Sequence, residues 1–155
     1  MMHVRRAAPD DRAAWLRMRR ALWPEDGAGT HADEIDQYFA GVLSMPLEVL
    51  LAVDRGEVVG FVELSIRPYA EDCVTDRVAY LEGWYVEPAN RRRGIGRALV
   101  NAAEAWGRAQ GCTEFGSDAL IDNDVSAAAH LSLGFEETVQ LRCFKKRLTP
   151  TRDGE

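Results

Sequence analysis

Seven consecutive residues, Arg91-Arg92-Arg93-Gly94-Ile95-Gly96-Arg97, carry the sharpest chemical signal in the chain. They stand between an apolar run and a long segment of helical periodicity, so the arginines fall at a helix start. The helix dipole favours anions there and opposes cations. Such a pattern is sensible where an anion docks. Two glycines let helix-start N–H groups approach it closely, and arginine supplies paired donors that match a phosphate. The same residues also fit a solvated basic turn whose glycines simply reverse the chain. A Walker loop would need Gly-Lys-Ser/Thr, which is missing, and a dinucleotide fingerprint would need a third glycine where Leu99 stands.

A second constellation is acidic. Glu82 interrupts the otherwise apolar run Tyr80-Leu81-Glu82-Gly83-Trp84-Tyr85-Val86. Strand alternation puts it on the face of Tyr80 and Trp84. A carboxylate facing a dry core is costly, so a cleft is expected there; a half-solvated sheet face is the plainer alternative. Asp118 closes a second apolar run, at the kind of strand end where ligands gather in open α/β sheets. It fits equally a loop residue ahead of the next helix. Trp23 and Tyr69 adjoin Pro24 and Pro68 in loops, where an aromatic can cover a sugar ring, although Trp23 also fits a core anchor.

The elements that must position these groups follow from periodicity and turn chemistry. A short strand is expected over Met2–Arg6, then a helix opened by Pro9 and running to about Leu22, stopped by Pro24. Thr30 reads as the N-cap of a second helix over 31–43. Strands over 47–53 and 58–67 flank the turn Asp54-Arg55-Gly56-Glu57. Another strand spans 78–86, and a long amphipathic helix spans 94–110 with Gly111 behind it. A strand over 113–117, a helix over 124–133 closed by Gly134, and a strand pair over 135–148 complete the chain. The order implies an α/β (α+β) mixed sheet covered by helices. One domain over 1–148 with a frayed tail over 149–155 is expected.

Composition sets outer limits. The chain has 155 residues, with 19 Lys+Arg against 25 Asp+Glu and a formal charge of −6, which argues against a general nucleic-acid binder. Cys73, Cys112 and Cys143 are widely spaced, as are His3, His31 and His130, so no metal site is expected and reduced thiols suit a cytoplasmic protein. No run approaches the length of a membrane span, and the polar start with Arg5 and Arg6 lacks the apolar core of a secretory signal.

Arg91-x-x-Gly94-x-Gly96 behind the strand 81–86, together with Asn123…His130-x-x-x-Gly134-Phe135, resembles the GCN5-related N-acetyltransferase superfamily over almost the whole chain. The resemblance implies the GNAT fold, in which two parallel strands, here 78–86 and 113–118, splay apart and acetyl-CoA lies between them. Narrower stretches are similar to the aminoglycoside 6′-N-acetyltransferase branch: Ala21-Leu22-Trp23-Pro24, Ser65-Ile66-Arg67-Pro68-Tyr69, the Glu82 strand, Ser117-Asp118-Ala119 and Leu133-Gly134-Phe135-Glu136-Glu137-Thr138. That likeness implies that Trp23, Asp26, Tyr69, Glu82 and Asp118 surround a cationic aminoglycoside. It implies that Trp84, Tyr85 and Val86 hold the pantetheine and acetyl end. Arg91, Arg92, Arg93, Gly94, Ile95, Gly96 and Arg97 would hold the pyrophosphate, with Asn123 and His130 beside the co-substrate. Val139 stands where some members of the branch carry an acid against the drug. Relatives in the branch are commonly homodimers.

Acetyl transfer needs a neutral amine, and an ammonium must first lose a proton that a carboxylate can take directly or through water. Glu82 is the expected base or the start of a water relay, and Asp118 is expected to orient the amine. A backbone N–H, best that of Val86, suits the oxyanion. His130 occupies the place of a possible proton donor to the departing thiolate, or packs there without a proton role. The expected activity is 6′-N-acetylation of aminoglycosides and hence antibiotic resistance. An N-acetyltransferase for another polyamine or amino sugar is the alternative within enzymes, and a non-catalytic acyl-CoA-binding module the alternative outside them.

Overall fold

The computed structural model describes residues 1–24 and 28–151. Asp26 and the rest of 25–27 lie outside the described residues, as do 152–155. The described residues form strands β1 (Met2–Arg6), β2 (Glu48–Asp54), β3 (Glu57–Arg67), β4 (Val78–Val86) and β5 (Phe115–Ser117). The helices are α1 (Arg12–Leu22), α2 (Ala28–Phe39), α3 (Ile95–Ala109) and α4 (Asp124–Ser132). The strands lie in sequence order in one sheet, antiparallel from β1 to β4 and parallel between β4 and β5.

Burial explains the apolar runs. β2 is buried along its whole length because alternate residues serve two cores. Val49 and Leu51 join Trp15, Met18, Ile35, Phe61 and Tyr85 beneath α1 and α2. Leu50 and Ala52 join Val62, Leu64, Leu81, Leu99 and Ala103 beneath α3 on the opposite face. The helix pattern of α3 is therefore a single-sided one, with Ile95, Leu99, Val100, Ala103 and Gly107 turned inward.

Two departures from the sequence reading affect the site. The β4–β5 ladder pairs only Ala79, Tyr80 and Leu81 with Phe115, Gly116 and Ser117, while β4 runs on to Val86 without a neighbour on that side. The two strands part as the resemblance implied, and the second is shorter than expected. On the other side of β4, Glu63 pairs with Gly83 but Leu64 pairs with Leu81, so Glu82 is an extra residue, a β-bulge. The second helix begins at Ala28, ahead of Thr30, and ends at Phe39.

The expected strand pair over 135–148 is corrected: residues 135–150 form no strand, and 136–151 are exposed. Residues 135–148 contain no Gly, Pro, Asn or Asp, so they have no residue suited to a hairpin turn. Apolar side chains along it, including Val139, Leu141, Phe144 and Leu148, stand in solvent.

Candidate active site

The bulge decides where the central acid points. Leu81 packs under α3, and Trp84 lies against that same core. Gly83 faces the opposite way, since a Cβ there would fall 2.6 Å from the Trp23 ring. Glu82 faces that way too, because the extra residue breaks the alternation between Leu81 and Gly83. It thus shares a face with Tyr80, as expected, and not with Trp84, which corrects the alternation argument.

Both oxygens of Glu82 are engaged. The Ser65 hydroxyl and Arg67 Nε (2.8 Å) donate to Oε1, while Arg67 Nη2 donates to Oε2 at 2.7 Å. The guanidinium carbon of Arg67 lies 3.6 Å from the centre of the Tyr80 ring. The Tyr80 hydroxyl in turn donates to Asp118 Oδ2 at 2.6 Å. Burial, then the hydrogen bond to Asp118, pushes the Tyr80 phenol well above its usual range. One chain of contacts, Glu82–Arg67–Tyr80–Asp118, therefore joins the two acids that the sequence singled out. Asp118 itself is exposed, just beyond the end of β5.

A cleft of about 420 Å³ opens beside Glu82, with Trp23, Glu34, Gln37, Met45 and Glu63 among its walls. Trp23 is half buried, stacked near His31, and the Arg19 guanidinium carbon lies 5.2 Å from its ring centre, so it is both a core anchor and a cleft wall. Glu63 is nearly fully buried, and its carboxylate takes Arg19 Nε at 2.8 Å and Trp15 Nε1 at 3.1 Å. Burial pushes its carboxyl above the ordinary value, against the pull of Arg19. Tyr69 is exposed in the loop after β3 and donates to Glu71 at 3.2 Å. It stands apart from the Glu82 cluster's bonds.

On the other side of the parted strands, α3 begins without a side-chain cap. Gly94 has φ +80°, a left-handed conformation that glycine adopts freely, and Arg92 has φ +63°. The first-turn N–H groups are consequently open to an anion. Gly96 lets Trp84 approach: a Cβ there would meet the indole at 3.2 Å. Trp84 Nε1 is buried with no hydrogen-bond partner among the described residues, a donor aimed into the region between β4 and α3. Arg91 donates to the Val86 carbonyl at 2.8 Å and Arg93 reaches Asp54 at 3.1 Å. Arg92 and Arg97 are exposed beside the helix start.

Asn123 caps α4, its Oδ1 accepting from Ser126 N at 3.1 Å. His130 sits edge-on to both Trp84 and Phe135. Its Nδ1 lies 2.7 Å from the Ser126 carbonyl, which can only accept, so the proton is placed on Nδ1. Nε2, 2.7 Å from Ser117 Oγ, is then the acceptor. Ser65, Arg67 and the link through Tyr80 were not assigned from sequence. The signal was available: Glu63, Ser65 and Arg67 are alternate polar residues in the stretch Phe61–Arg67, whose other members are Phe, Val, Leu and Ile.

Residues 14–135 match the model of the acetyltransferase (GNAT) family. The chain belongs to that family. Within GNAT proteins it is similar to the aminoglycoside N(6′)-acetyltransferase type 1 of Klebsiella aerogenes, 52% identical over 94% of this chain and 96% of that protein. Among solved structures, AAC(6′)-Iy in complex with the bisubstrate analogue CoA-S-monomethyl-acetylneamine superposes with a TM-score of 0.88 at 31% identity, covering 96% of this chain and 99% of that one. The AAC(6′)-Ig 6′-N-acetyltransferase of Acinetobacter haemolyticus gives 0.86 at 37% identity, over 95% and 99%. The mixed sheet with its parted β4 and β5 is thus the GNAT sheet. No cluster of three or more His, Cys, Asp or Glu placed to hold a metal occurs among the described residues.

Proposed function

We propose that this protein transfers the acetyl group of acetyl-CoA to the 6′-amino group of aminoglycoside antibiotics and so confers resistance to them. The observation that carries the reading is the chain of contacts Glu82–Arg67–Tyr80–Asp118 beside the point where β4 and β5 part, together with the uncapped start of α3. One side offers donors to a phosphate-bearing thioester. The other offers carboxylates to a polycation.

Trp84, Tyr85 and Val86 are assigned to the pantetheine and acetyl end, because β4 lacks a strand partner there. Arg91, Arg92, Arg93 and Arg97, with the backbone of Gly94, Ile95 and Gly96, are assigned to the pyrophosphate. His130, edge-on to Trp84, and Asn123, at the start of the same helix α4, are assigned to the co-substrate as well. Trp23, Tyr69, Glu82 and Asp118 are assigned to the acceptor. The substrate ammonium gives one proton through Glu82, or a water beside it, to solvent. Its nitrogen then bonds to the thioester carbon while the C–S bond breaks. The second proton leaves the nitrogen, and the CoA sulfur is protonated by way of solvent. A backbone N–H near Val86 is suited to the oxygen that gains charge.

The finer assembly is a homodimer in the cytoplasm, where acetyl-CoA is made. Support for the dimer comes from the exposed apolar residues of 136–151 and from a cavity of about 480 Å³ beside β5, lined by Ala79, Gly107, Cys112 and Phe115 among others. A second copy's terminal segment fits such an edge. No helix among the described residues is long and apolar enough to cross a membrane.

A thiol-release assay with acetyl-CoA and tobramycin, a 6′-amine-blocked analogue, or spermidine tests the activity. Release with tobramycin and not with the blocked analogue is expected. Release with spermidine alone would favour a polyamine acetyltransferase, and acetyl-CoA binding without release would favour a binding module.

A further inference from the structure

The acids of the site are held in two different ways. Glu82 has both oxygens spanned by the Arg67 guanidinium, at 2.8 and 2.7 Å. Glu34 and Glu63 likewise share Arg19, at 2.6 and 2.8 Å. Asp118 differs from all three. Its Oδ2 takes a bond of 2.6 Å from the Tyr80 hydroxyl, a neutral donor, and no other hydrogen bond or ion pair reaches it among the described residues. Asp118 thus has one free oxygen and no bonded cation, at an exposed place just beyond β5. We propose that Tyr80 is a positioning residue for the acceptor amine: its hydroxyl fixes the Asp118 carboxylate so that the free oxygen receives the substrate ammonium.

Tyr80 is built to hold still. It is buried, and it pairs with Gly116 in the β4–β5 ladder, where a Cβ would fall 2.9 Å from its ring. Ala70, the neighbour of Tyr69, and Val78 share its apolar cluster, and the Arg67 guanidinium carbon lies 3.6 Å from its ring centre. A phenol oxygen lies in the plane of its ring, so a held ring fixes the donor; a serine hydroxyl would not be fixed in this way. The phenol has one proton and gives it to Asp118. Burial and that bond push its ionisation up, so it remains a donor at any working pH. An exposed carboxylate otherwise turns in solvent and loses that freedom when a ligand arrives; one already anchored by a bond has less to lose. On the acceptor reading above, on which this inference rests, the charges work together. Glu34, Glu63, Glu82 and Asp118 outnumber Arg19 and Arg67, so the site favours an ammonium on arrival. The ammonium donates to the free oxygen of Asp118 in a charge-assisted bond. Its proton leaves afterwards through Glu82 or the water beside it.

Tyr80→Phe keeps the ring and removes only the hydroxyl. With saturating acetyl-CoA, the tobramycin KM should rise about tenfold while kcat changes by less than about threefold and the acetyl-CoA KM by less than about twofold. A tobramycin KM within about twofold of wild type overturns the proposal. By calorimetry, the same variant should bind a 6′-hydroxyl analogue, which brings no ammonium to this position, within about threefold of wild type. A loss as large as that for tobramycin means a general disturbance of the cleft and overturns the proposal. Asp118→Ala should raise the tobramycin KM by about tenfold or more, and adding Tyr80→Phe to it should cost less than about a further twofold, because the phenol then has nothing to position. An Asp118→Ala KM that stays in place overturns the proposal whether or not Tyr80→Phe folds, and so does a full second loss in the double variant. Wild-type protein that releases no CoA with any aminoglycoside removes the acceptor reading and this inference with it, whereas wild-type turnover with an unmoved KM in Tyr80→Phe removes this inference alone.

Discussion

At the scale of single residues, Glu82 and His130 lead to opposite expectations. Glu82→Gln keeps the size and loses the proton acceptor, so turnover with tobramycin should fall by at least about 100-fold. Acetyl-CoA affinity by calorimetry should stay unchanged, because the side chain faces away from Trp84 and α3. His130→Ala should cost less than about tenfold, with the pH profile in place. Its ring nitrogens already lie 2.7 Å from the Ser126 carbonyl and the Ser117 hydroxyl, and its ring packs edge-on to Trp84 and Phe135, which is the setting of a packing residue. The individual acids were legible from sequence because a charge in an apolar run needs a reason. Their connection was not. Arg67 lies in a different strand from Glu82, and only the β3–β4 register brings the guanidinium to the carboxylate and over the Tyr80 ring.

At the scale of elements, the bulge in β4 and the start of α3 carry the site, and each can be tested. Gly83→Ala would place a Cβ 2.6 Å from the Trp23 ring, so Trp23 or the strand must move. A loss of about 1–3 kcal/mol is expected in urea unfolding. Arg92→Ala combined with Arg97→Ala should weaken acetyl-CoA binding and flatten its dependence on salt, measured by calorimetry at two ionic strengths. Asp11 offers a stability test remote from the site. The Arg5 guanidinium, bonded at 2.7 and 2.9 Å, holds its carboxyl below the ordinary range despite partial burial. Such a group adds stability above the unfolded carboxylate value near ~3.9 and loses it as pH falls through the lower folded value. The gap in urea midpoint between wild type and Asp11→Asn should therefore close toward about pH 3. β1 and β4 were legible to the residue and α3 almost so, while α2 lies three to four residues ahead of its expected span. The bulge was not, since one extra residue leaves no mark on a run that is apolar on both faces.

At the scale of the whole molecule, the terminal segment and the parted strands matter most. A pattern of apolar residues over 135–148 suggested a strand pair, but alternation shows only what a segment can pair with, not whether its own chain supplies the partner. Light scattering should give twice the chain mass for the full protein and one chain mass for a version ending at Phe135. The gap between β4 and β5 has a wider effect. Among the described residues no strand lies beside Gly83 to Val86 on one side, the edge that acetyl-CoA covers in the function proposed above. A ligand that binds only the folded chain at about 100 times its dissociation constant adds about 2.7 kcal/mol to stability. The folded fraction of this protein is thereby coupled to the acetyl-CoA pool, and a starved cell would hold less of it than a fed one at the same rate of synthesis.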